Sequence, residues 1–276
     1  MMIVDTHTKE SMQKSMCEVF QLNETELYYN LSVIDTTATD DYDYMEKLSI
    51  FVAEKAIKLP DEIFLFHLSR RLNGTDNDVE GRTLADLLTT QNEFSKFLYK
   101  HKLKFVYGEQ HIEVFYKGKL VDWNKCWNGN PNYMQSRLGY YKGREDYCFN
   151  GFAFKDLIYK NNYARELSGV PEFVGQLIEC LDCKNLGYDY MKNSTYYCYE
   201  YRIPLDFVVF DDNEKYSLHQ KQRYLIRCVL QRLYEYQTNN INYMSDHDNP
   251  VLRLGDYFNV PSQYYVSREE ITSDML

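Results

Sequence analysis

The sequence of 276 residues lacks long apolar runs and has fewer basic than acidic side chains. No stretch of about 18 uncharged apolar residues occurs, so no segment is predicted to span a membrane. Residues 1–10 lack the apolar centre of a signal peptide, and we therefore expect a cytoplasmic protein. The formal net charge of -10 disfavours a general electrostatic grip on DNA or RNA, which depends on lysine and arginine, but leaves a local basic groove open.

The cysteines do not form a recognisable disulfide or zinc framework. Seven of them are scattered along the chain, which fits reduced thiols. Cys180 and Cys183 make half of a zinc motif without a second half, so we predict no metal site. The run Asp246-His247-Asp248 lies in an Asn-rich stretch and is interpreted as a turn. Glycine-rich dinucleotide and phosphate fingerprints and Gly-x-Ser-x-Gly are also absent, which leaves Rossmann, P-loop and α/β-hydrolase chemistry without support.

The chain is instead rich in apolar and aromatic side chains. Hydrophobic residues make up 44% and aromatic residues 16%, with 27 tyrosines. This composition is typical of a folded protein and not of a disordered one. The length allows a core that is stable without crosslinks, and we favour one domain with inserts over two small domains.

Apolar spacing predicts an α+β organisation with a helical start. Met12, Met16 and Phe20 keep a four-residue spacing, so residues 1–60 are interpreted as a helical N-terminal region. Residues 62–68 form a nearly continuous apolar run that is typical of a buried strand, and His67 is the unusual residue within it.

Further elements follow from the same patterns. Residues 84–88 and 94–99 are predicted to be helical, and three strands are predicted after them, at 103–107, 112–116 and 119–123, with a tight Lys117-Gly118 turn. Together they form a small α/β insert at about 82–135. Beyond it the patterns predict helices at 155–167, 171–180 and 217–236, and strands at 196–203 and 264–266.

Three short segments contain residues of the types that catalytic and ligand-binding sites use. The first is Phe-His-Leu-Ser at 66–69, the second is Asn-Gly-Phe-Ala-Phe-Lys-Asp at 150–156 with Tyr163 downstream, and the third is Ser-Gln-Tyr-Tyr-Val-Ser-Arg-Glu-Glu at 262–270. A glycine permits close backbone approach to a ligand, and aromatic faces offer stacking partners. In this order the segments resemble the NAD-gripping elements of the His-Tyr-Glu group of ADP-ribosyltransferases, which includes diphtheria-type toxins, poly(ADP-ribose) polymerases and DarT-like toxins.

The resemblance implies a fold, a substrate and a set of roles. Residues 61–276 would form an ADP-ribosyltransferase-like split β-sheet core, and NAD would be the substrate. His67 would bond the ribose, and Ser69 would contact the amide side of the nicotinamide. The implied cofactor-binding residues are His67, Ser69, Gly151, Phe152, Phe154 and Tyr163. The implied partners are a macromolecular acceptor, either protein or DNA/RNA, and an inhibitor or antitoxin as a further candidate, because compact relatives often act as toxins or in antiviral defence.

The third segment departs from the pattern at its catalytic position. Gln263 stands where active relatives usually have a glutamate, so the implied catalytic set is His67, Tyr163, Gln263 and Glu269. Glutamine cannot stabilise developing positive charge as a carboxylate does. Three alternatives remain open: slow or restricted transfer, replacement by Glu269 or Glu270, or a non-catalytic NAD-binding or interaction module. Another reading is a single-strand-binding module that uses tyrosine stacking.

Overall fold

The computed structural model describes residues 2–75, 78–143, 145–211, 213–237 and 249–276. Helices make up 45% and strands 20% of the chain, so the mixed helix and sheet composition expected of an α+β protein is confirmed at that level. Within these ranges, no helix combines the length and the apolar character needed to cross a bilayer. The predicted turn at Asp246-His247-Asp248 lies outside the described residues.

The chain divides into two compact units that interleave along the sequence. The first unit comprises Met1–Phe66, Asn150–Asn162 and Glu200–Arg253, and the second comprises His67–Phe149, Tyr163–Tyr199 and Leu254–Leu276. Strands β1 (Glu62–Leu72) and β6 (Ser194–Pro204) each pass from one unit to the other. The predicted division at residues 60 and 61 stays a prediction.

The first unit begins with the helices that the apolar spacing predicted. They are α1 (Lys9–Phe20), α2 (Glu24–Thr37) and α3 (Asp41–Lys55). Each starts after a polar N-cap, namely Thr8, Asn23 or Asp40, whose side chain accepts a hydrogen bond from the backbone N–H three residues on. Such caps satisfy donors that a helix start otherwise leaves unpaired, which is why the three helices begin where they do.

The long helix α10 (Leu218–Gln237) packs against α1 and α3 in the same unit. It buries one apolar stripe, formed by Leu225, Ile226, Val229, Leu230 and Leu233. Strands β5 (Asn150–Phe152), β7 (Val209–Phe210) and β8 (Val251–Arg253) complete this unit. Phe210 of β7 contacts Tyr224 of α10 edge to face, with ring centroids 4.9 Å apart.

The second unit contains a small sheet and several helices around one apolar core. Its strands are β2 (Leu103–Tyr107), β3 (Ile112–Tyr116) and β4 (Lys119–Leu120). Its helices include α4 (Leu84–Thr89), α5 (Glu93–Lys100), α6 (Pro131–Arg137), α8 (Glu172–Leu181) and α9 (Lys184–Lys192). The core includes Leu98, Leu103, Phe105, Ile112, Val114, Met134 and Leu177. The predicted hairpin turn is confirmed, because Lys117 and Gly118 both have positive φ.

The larger sheet has six strands in the order β7-β8-β5-β1-β6-β9, with β9 spanning Tyr265–Glu270. The pairs β1/β5, β5/β8 and β7/β8 are antiparallel, and Phe66 of β1 lies opposite Phe152 of β5. The predicted strands at 62–68 and 196–203 are confirmed as β1 and β6. The strand predicted at 264–266 corresponds to β9, which begins one residue later and continues to Glu270.

The predicted helix at 155–167 is wrong. The segment contains a short 3₁₀ turn, Ile158–Lys160, followed by α7 (Asn162–Glu166). Leu157 adopts a left-handed conformation with φ of 58°, which a helix interior does not tolerate. The backbone N–H groups of Lys155 and Asp156 both donate to the carbonyl of Thr6, so a distant segment fixes this corner.

The predicted strand at 119–123 is also shorter than expected. Strand β4 ends at Leu120, and a 3₁₀ turn, Trp123–Lys125, begins soon after. The carboxylate of Asp122 accepts a hydrogen bond from the N–H of Asn124 and caps this turn. A side-chain cap therefore replaces the strand ladder at this point.

Candidate functional site

Strand β1 presents a row of polar side chains in the second unit. His67, Ser69 and Arg71 are half-buried, and the intervening Leu68 is buried. Successive side chains of a strand point to opposite faces, so residues 67, 69 and 71 share one face. The placement of His67 on a strand is confirmed. The strand places the imidazole of His67, the hydroxyl of Ser69 and the guanidinium of Arg71 along the same face.

His67 is held by an aromatic neighbour. Its ring lies against Phe149, with centroids 4.2 Å apart and the planes tilted by 33°. Phe149 is itself buried, so it is a fixed surface for the imidazole. Such packing orders a side chain before any ligand arrives, and this ordering lowers the entropic cost of binding.

Two arginines, one on β1 and one on β9, lie against tyrosine rings of β6, the strand between them in the sheet. The Arg71 guanidinium lies 4.9 Å from the ring centroid of Tyr199, and its Nε donates to the Ser69 hydroxyl at 3.2 Å. Arg268 of β9 lies 5.0 Å from the ring centroid of Tyr197. Burial raises the pKa of Tyr199, and the two arginines oppose that rise. This cluster offers positive charge and hydrogen-bond donors, which suit an anionic, hydroxylated ligand.

Sequence reasoning missed Arg71 and Arg268. The signal for Arg71 was the period of two along β1, because the face that carries His67 and Ser69 also carries residue 71. The role of Arg268 depends on its contact with Tyr197, which no sequence spacing indicates.

The remaining predicted residues of the second unit lie on other elements. Tyr163 is on α7, and its side chain is 46% exposed. Gln263 is exposed and lies in the 3₁₀ turn Ser262–Tyr264, and Glu269 is half-buried on β9. Strand β6 lies between β1 and β9 in the sheet, so the strand that carries Glu269 is not the direct neighbour of the strand that carries His67.

The predicted glycine and phenylalanines belong to the first unit. A Cβ on Gly151 would lie 2.6 Å from Leu65 Cδ2 and 2.7 Å from the Phe66 carbonyl oxygen, so the packing of β5 against β1 requires this glycine. Phe152 and Phe154 are buried, and the Arg232 guanidinium lies 5.5 Å from the centroid of the Phe154 ring. The structure therefore assigns the predicted residues to two sets, with His67, Ser69, Tyr163, Gln263 and Glu269 in one unit and Gly151, Phe152 and Phe154 in the other.

The first unit also contains a histidine held between two carboxylates. His7 Nδ1 lies 2.8 Å from an oxygen of Asp5, and its Nε2 lies 3.1 Å from an oxygen of Glu200. Its ring also makes edge contacts with Phe64 and Phe66. The hydrogen bond to Glu200 is the largest influence on His7 and raises the pKa of its imidazole. Burial acts to raise the pKa of Asp5, but hydrogen bonds from His7 outweigh it, and the pKa is lowered.

We expect His7 to stabilise the fold more in its protonated form than in its neutral form. Its pKa is raised above the ordinary value of 6.5, so the stabilisation is complete below that pH and is lost as the pH rises through the folded-state pKa. Replacing His7 with glutamine should therefore lower the free energy of unfolding by about 1–2 kcal/mol at pH 6 and by much less at pH 9. Urea unfolding at the two pH values measures this difference.

The exposed His219 of α10 provides the matched control. His219→Gln should leave the pH dependence of unfolding as in the unchanged protein. A His7→Gln loss that is equal at pH 6 and pH 9 would show that the imidazole acts through packing alone.

A second buried polar network joins α10 to the corner after β5. Tyr236 donates its hydroxyl to both oxygens of Asp156, at 2.8 and 2.9 Å, and the Arg232 Nη1 lies 3.6 Å from the same carboxylate. Burial raises the pKa of Asp156, and the Tyr236 hydrogen bond and the Arg232 charge oppose the rise. Arg232 is only 2% exposed, so Arg232 and Asp156 form a buried ion pair within the first unit.

One group of side chains has the ligand types of a metal site. Among the described residues, Asp146, Cys148 and Asp256 bring their ligand atoms within 4.8 Å of one another. Arg137 already pairs with Asp146, and the backbone N–H of Tyr147 donates to Asp256 at 2.8 Å. Both carboxylates therefore have protein partners, and the sequence expectation of no metal site stays a prediction.

Comparisons of the chain with protein-family models, with curated proteins and with solved structures find no match. Function is therefore inferred from the residues and their geometry alone.

Proposed function

We propose that this protein is an NAD-dependent ADP-ribosyltransferase that acts on a macromolecular acceptor, either a protein or a nucleic acid, in the manner of a toxin or an antiviral effector. In the proposed complex, NAD lies on the face of β1 that carries His67. His67 bonds the nicotinamide ribose, and Ser69 contacts the carboxamide side.

The observation that carries the proposal is the row of His67, Ser69 and Arg71 on one strand face. NAD offers ribose hydroxyls, a carboxamide and a pyrophosphate. An imidazole, a hydroxyl and a guanidinium match these three groups in chemistry, and guanidinium groups bind phosphate through paired donors. Arg268 adds a second positive charge in the same unit. Tyr163 is exposed enough to offer a ring to the nicotinamide.

The proposed reaction breaks the bond between nicotinamide and the ribose C1', nicotinamide leaves, and a nucleophilic oxygen or nitrogen of the acceptor bonds to C1' and loses its proton. Positive charge develops on the ribose as the bond breaks, so a carboxylate near the 2'-hydroxyl stabilises the transition state. Gln263 supplies an amide at the position where the resemblance places that carboxylate. Glu269 is the alternative within the same segment, and its half-buried place on β9 is compatible with such a role.

Nicotinamide release tests the proposal. We expect slow release when the purified protein is incubated with NAD, and faster release in the presence of DNA, RNA or cell lysate that contains the acceptor. Gln263→Glu should accelerate release by at least about tenfold, because it restores the missing charge. Gln135→Glu, an exchange of the same type on α6, is the matched control and should have no effect.

The second candidate is a non-catalytic NAD-binding module, and the uncharged amide of Gln263 favours it. In that case no condition releases nicotinamide, but NAD still raises the unfolding temperature. A protein that neither releases nicotinamide nor gains thermal stability from NAD would contradict both candidates.

A further inference from the structure

A groove lies in the second unit between helices α4 and α5 and strand β2. Its volume is about 580 Å³, which is within the range of ligand sites. Its apolar lining includes Leu88, Leu103 and Phe105, side chains that the core holds in place. The surface is therefore preformed.

The lining is basic although the chain as a whole is acidic. Among the described residues, Lys96, Lys100 and Lys104 line the groove, and no aspartate or glutamate does. Residues 94–108 contain four lysines and no acidic residue, in a chain with a formal net charge of -10. Lys96 pairs with Glu93 at 2.6 Å. In the part of the chain that the structure describes, no carboxylate lies within 4.0 Å of the Lys100 or Lys104 ammonium group. The hydrogen bond from Lys96 is the main cause of the lowered pKa of the Glu93 carboxyl, and the charge of Lys100 contributes to it only from a longer distance, so neither ammonium group is held in an ion pair with a described residue.

An exposed aromatic ring lies in the same groove. Tyr99 is 68% exposed and is one turn of helix away from Lys96 and next to Lys100. Lys96 and Lys100 are four residues apart on α5, so their side chains lie on one face of the helix. A ring bordered by lysines is the arrangement on which unstacked bases are held while their phosphates are neutralised.

We propose that this groove, formed by α4, α5 and β2, binds single-stranded nucleic acid. The phosphates contact Lys100 and Lys104, and one base stacks on Tyr99 above the apolar lining. A single strand fits better than a duplex, because only unpaired bases are free to leave the stack and reach an aromatic side chain. The absence of carboxylates from the lining favours a polyanion over a neutral peptide. The proposal goes beyond the ADP-ribosyltransferase function and does not depend on NAD.

Fluorescence anisotropy tests the proposal on the full chain without NAD. The probes are fluorescein-labelled poly(dU) and poly(U) of equal length, a DNA duplex and a poly(Glu) peptide. We expect both single strands to bind more tightly than the duplex and the peptide, and the comparison of dU with U, which differ only in the 2'-hydroxyl, identifies the preferred sugar. Affinity should fall steeply with salt, since each neutralised phosphate contributes about -0.7 to the logarithmic slope for single strands.

Three variants locate the binding. Lys100→Gln combined with Lys104→Gln should weaken binding at least about tenfold and reduce the salt slope by about 1.4, corresponding to two lost phosphate contacts. Tyr99→Ala should weaken binding without changing the salt slope, because stacking involves no counterion release. Lys119→Gln combined with Lys142→Gln removes the same charge at exposed positions outside the groove and should leave the affinity unchanged.

Three results would contradict the proposal. The proposal is overturned if neither single strand binds at low salt, or if the Lys119/Lys142 variant loses as much affinity as the Lys100/Lys104 variant. Tighter binding of poly(Glu) than of either oligonucleotide would assign the groove to an acidic peptide instead. All four lysines are exposed, so circular dichroism is expected to show the same fold in every variant.

Discussion

Replacing His67 with alanine should lower nicotinamide release by at least about a hundredfold, which is the low end of what one positioned polar group contributes in an enzyme. The imidazole lies on β1 beside Ser69 and Arg71, and Phe149 holds its ring at 4.2 Å. Without it, the ribose loses the group that fixes its hydroxyls, and the susceptible bond is no longer aligned for cleavage. A fluorescent nicotinamide assay under single-turnover conditions measures the loss.

The matched control is His111→Ala. His111 is also half-buried in the second unit and also stacks on an aromatic ring, that of Tyr140, with centroids 3.7 Å apart. The control therefore removes the same side chain and a similar contact away from β1, and it should retain full activity. Equal activities of the two variants would show that His67 has only a packing role.

Replacing Arg232 with methionine should lower the free energy of unfolding by about 3–5 kcal/mol, the usual cost of removing one partner of a buried ion pair. Arg232 is 2% exposed, and its Nη1 lies 3.6 Å from the buried carboxylate of Asp156. Methionine fills much of the space but removes the buried guanidinium from beside Asp156. Urea unfolding at pH 7 gives the value.

Two further variants separate charge from packing in this network. Arg232→Met combined with Asp156→Asn should recover part of the lost stability, because the amide needs no counter-charge. Arg223→Met on the same helix, where the guanidinium donates to the carbonyl of Ala53 at 3.1 Å, should cost much less. If Arg232→Met lowers the free energy of unfolding as little as Arg223→Met does, the buried pair contributes no stability.

Local patterns were sufficient for most of the secondary structure. The apolar run before His67 became β1, and the stripe from Leu225 to Leu233 became the buried face of α10. Both signals arise from neighbours within one element, so the sequence contains them in full. The Lys117-Gly118 turn is predictable for the same reason, because its backbone conformation depends on those two residues.

Two features could not be predicted because distant segments determine them. The corner at 155–157 is shaped by the carbonyl of Thr6, and His7 meets Glu200, which is far away in the sequence. Long-range partners of this kind have no local signature, so sequence patterns could not find them. Lys96, Lys100 and Lys104 are close together in the sequence, but the groove that they line exists only after α4, α5 and β2 have packed together.

The most direct measurement is the NMR signal of the His67 imidazole during titration with NAD. Selective labelling makes the six histidines observable, and the His67→Ala variant assigns the signal of interest. We expect the His67 resonance to shift in a saturable way as NAD is added and the His111 resonance to stay in place. A His67 resonance that stays in place at NAD concentrations far above those in a cell would contradict the placement of NAD on β1.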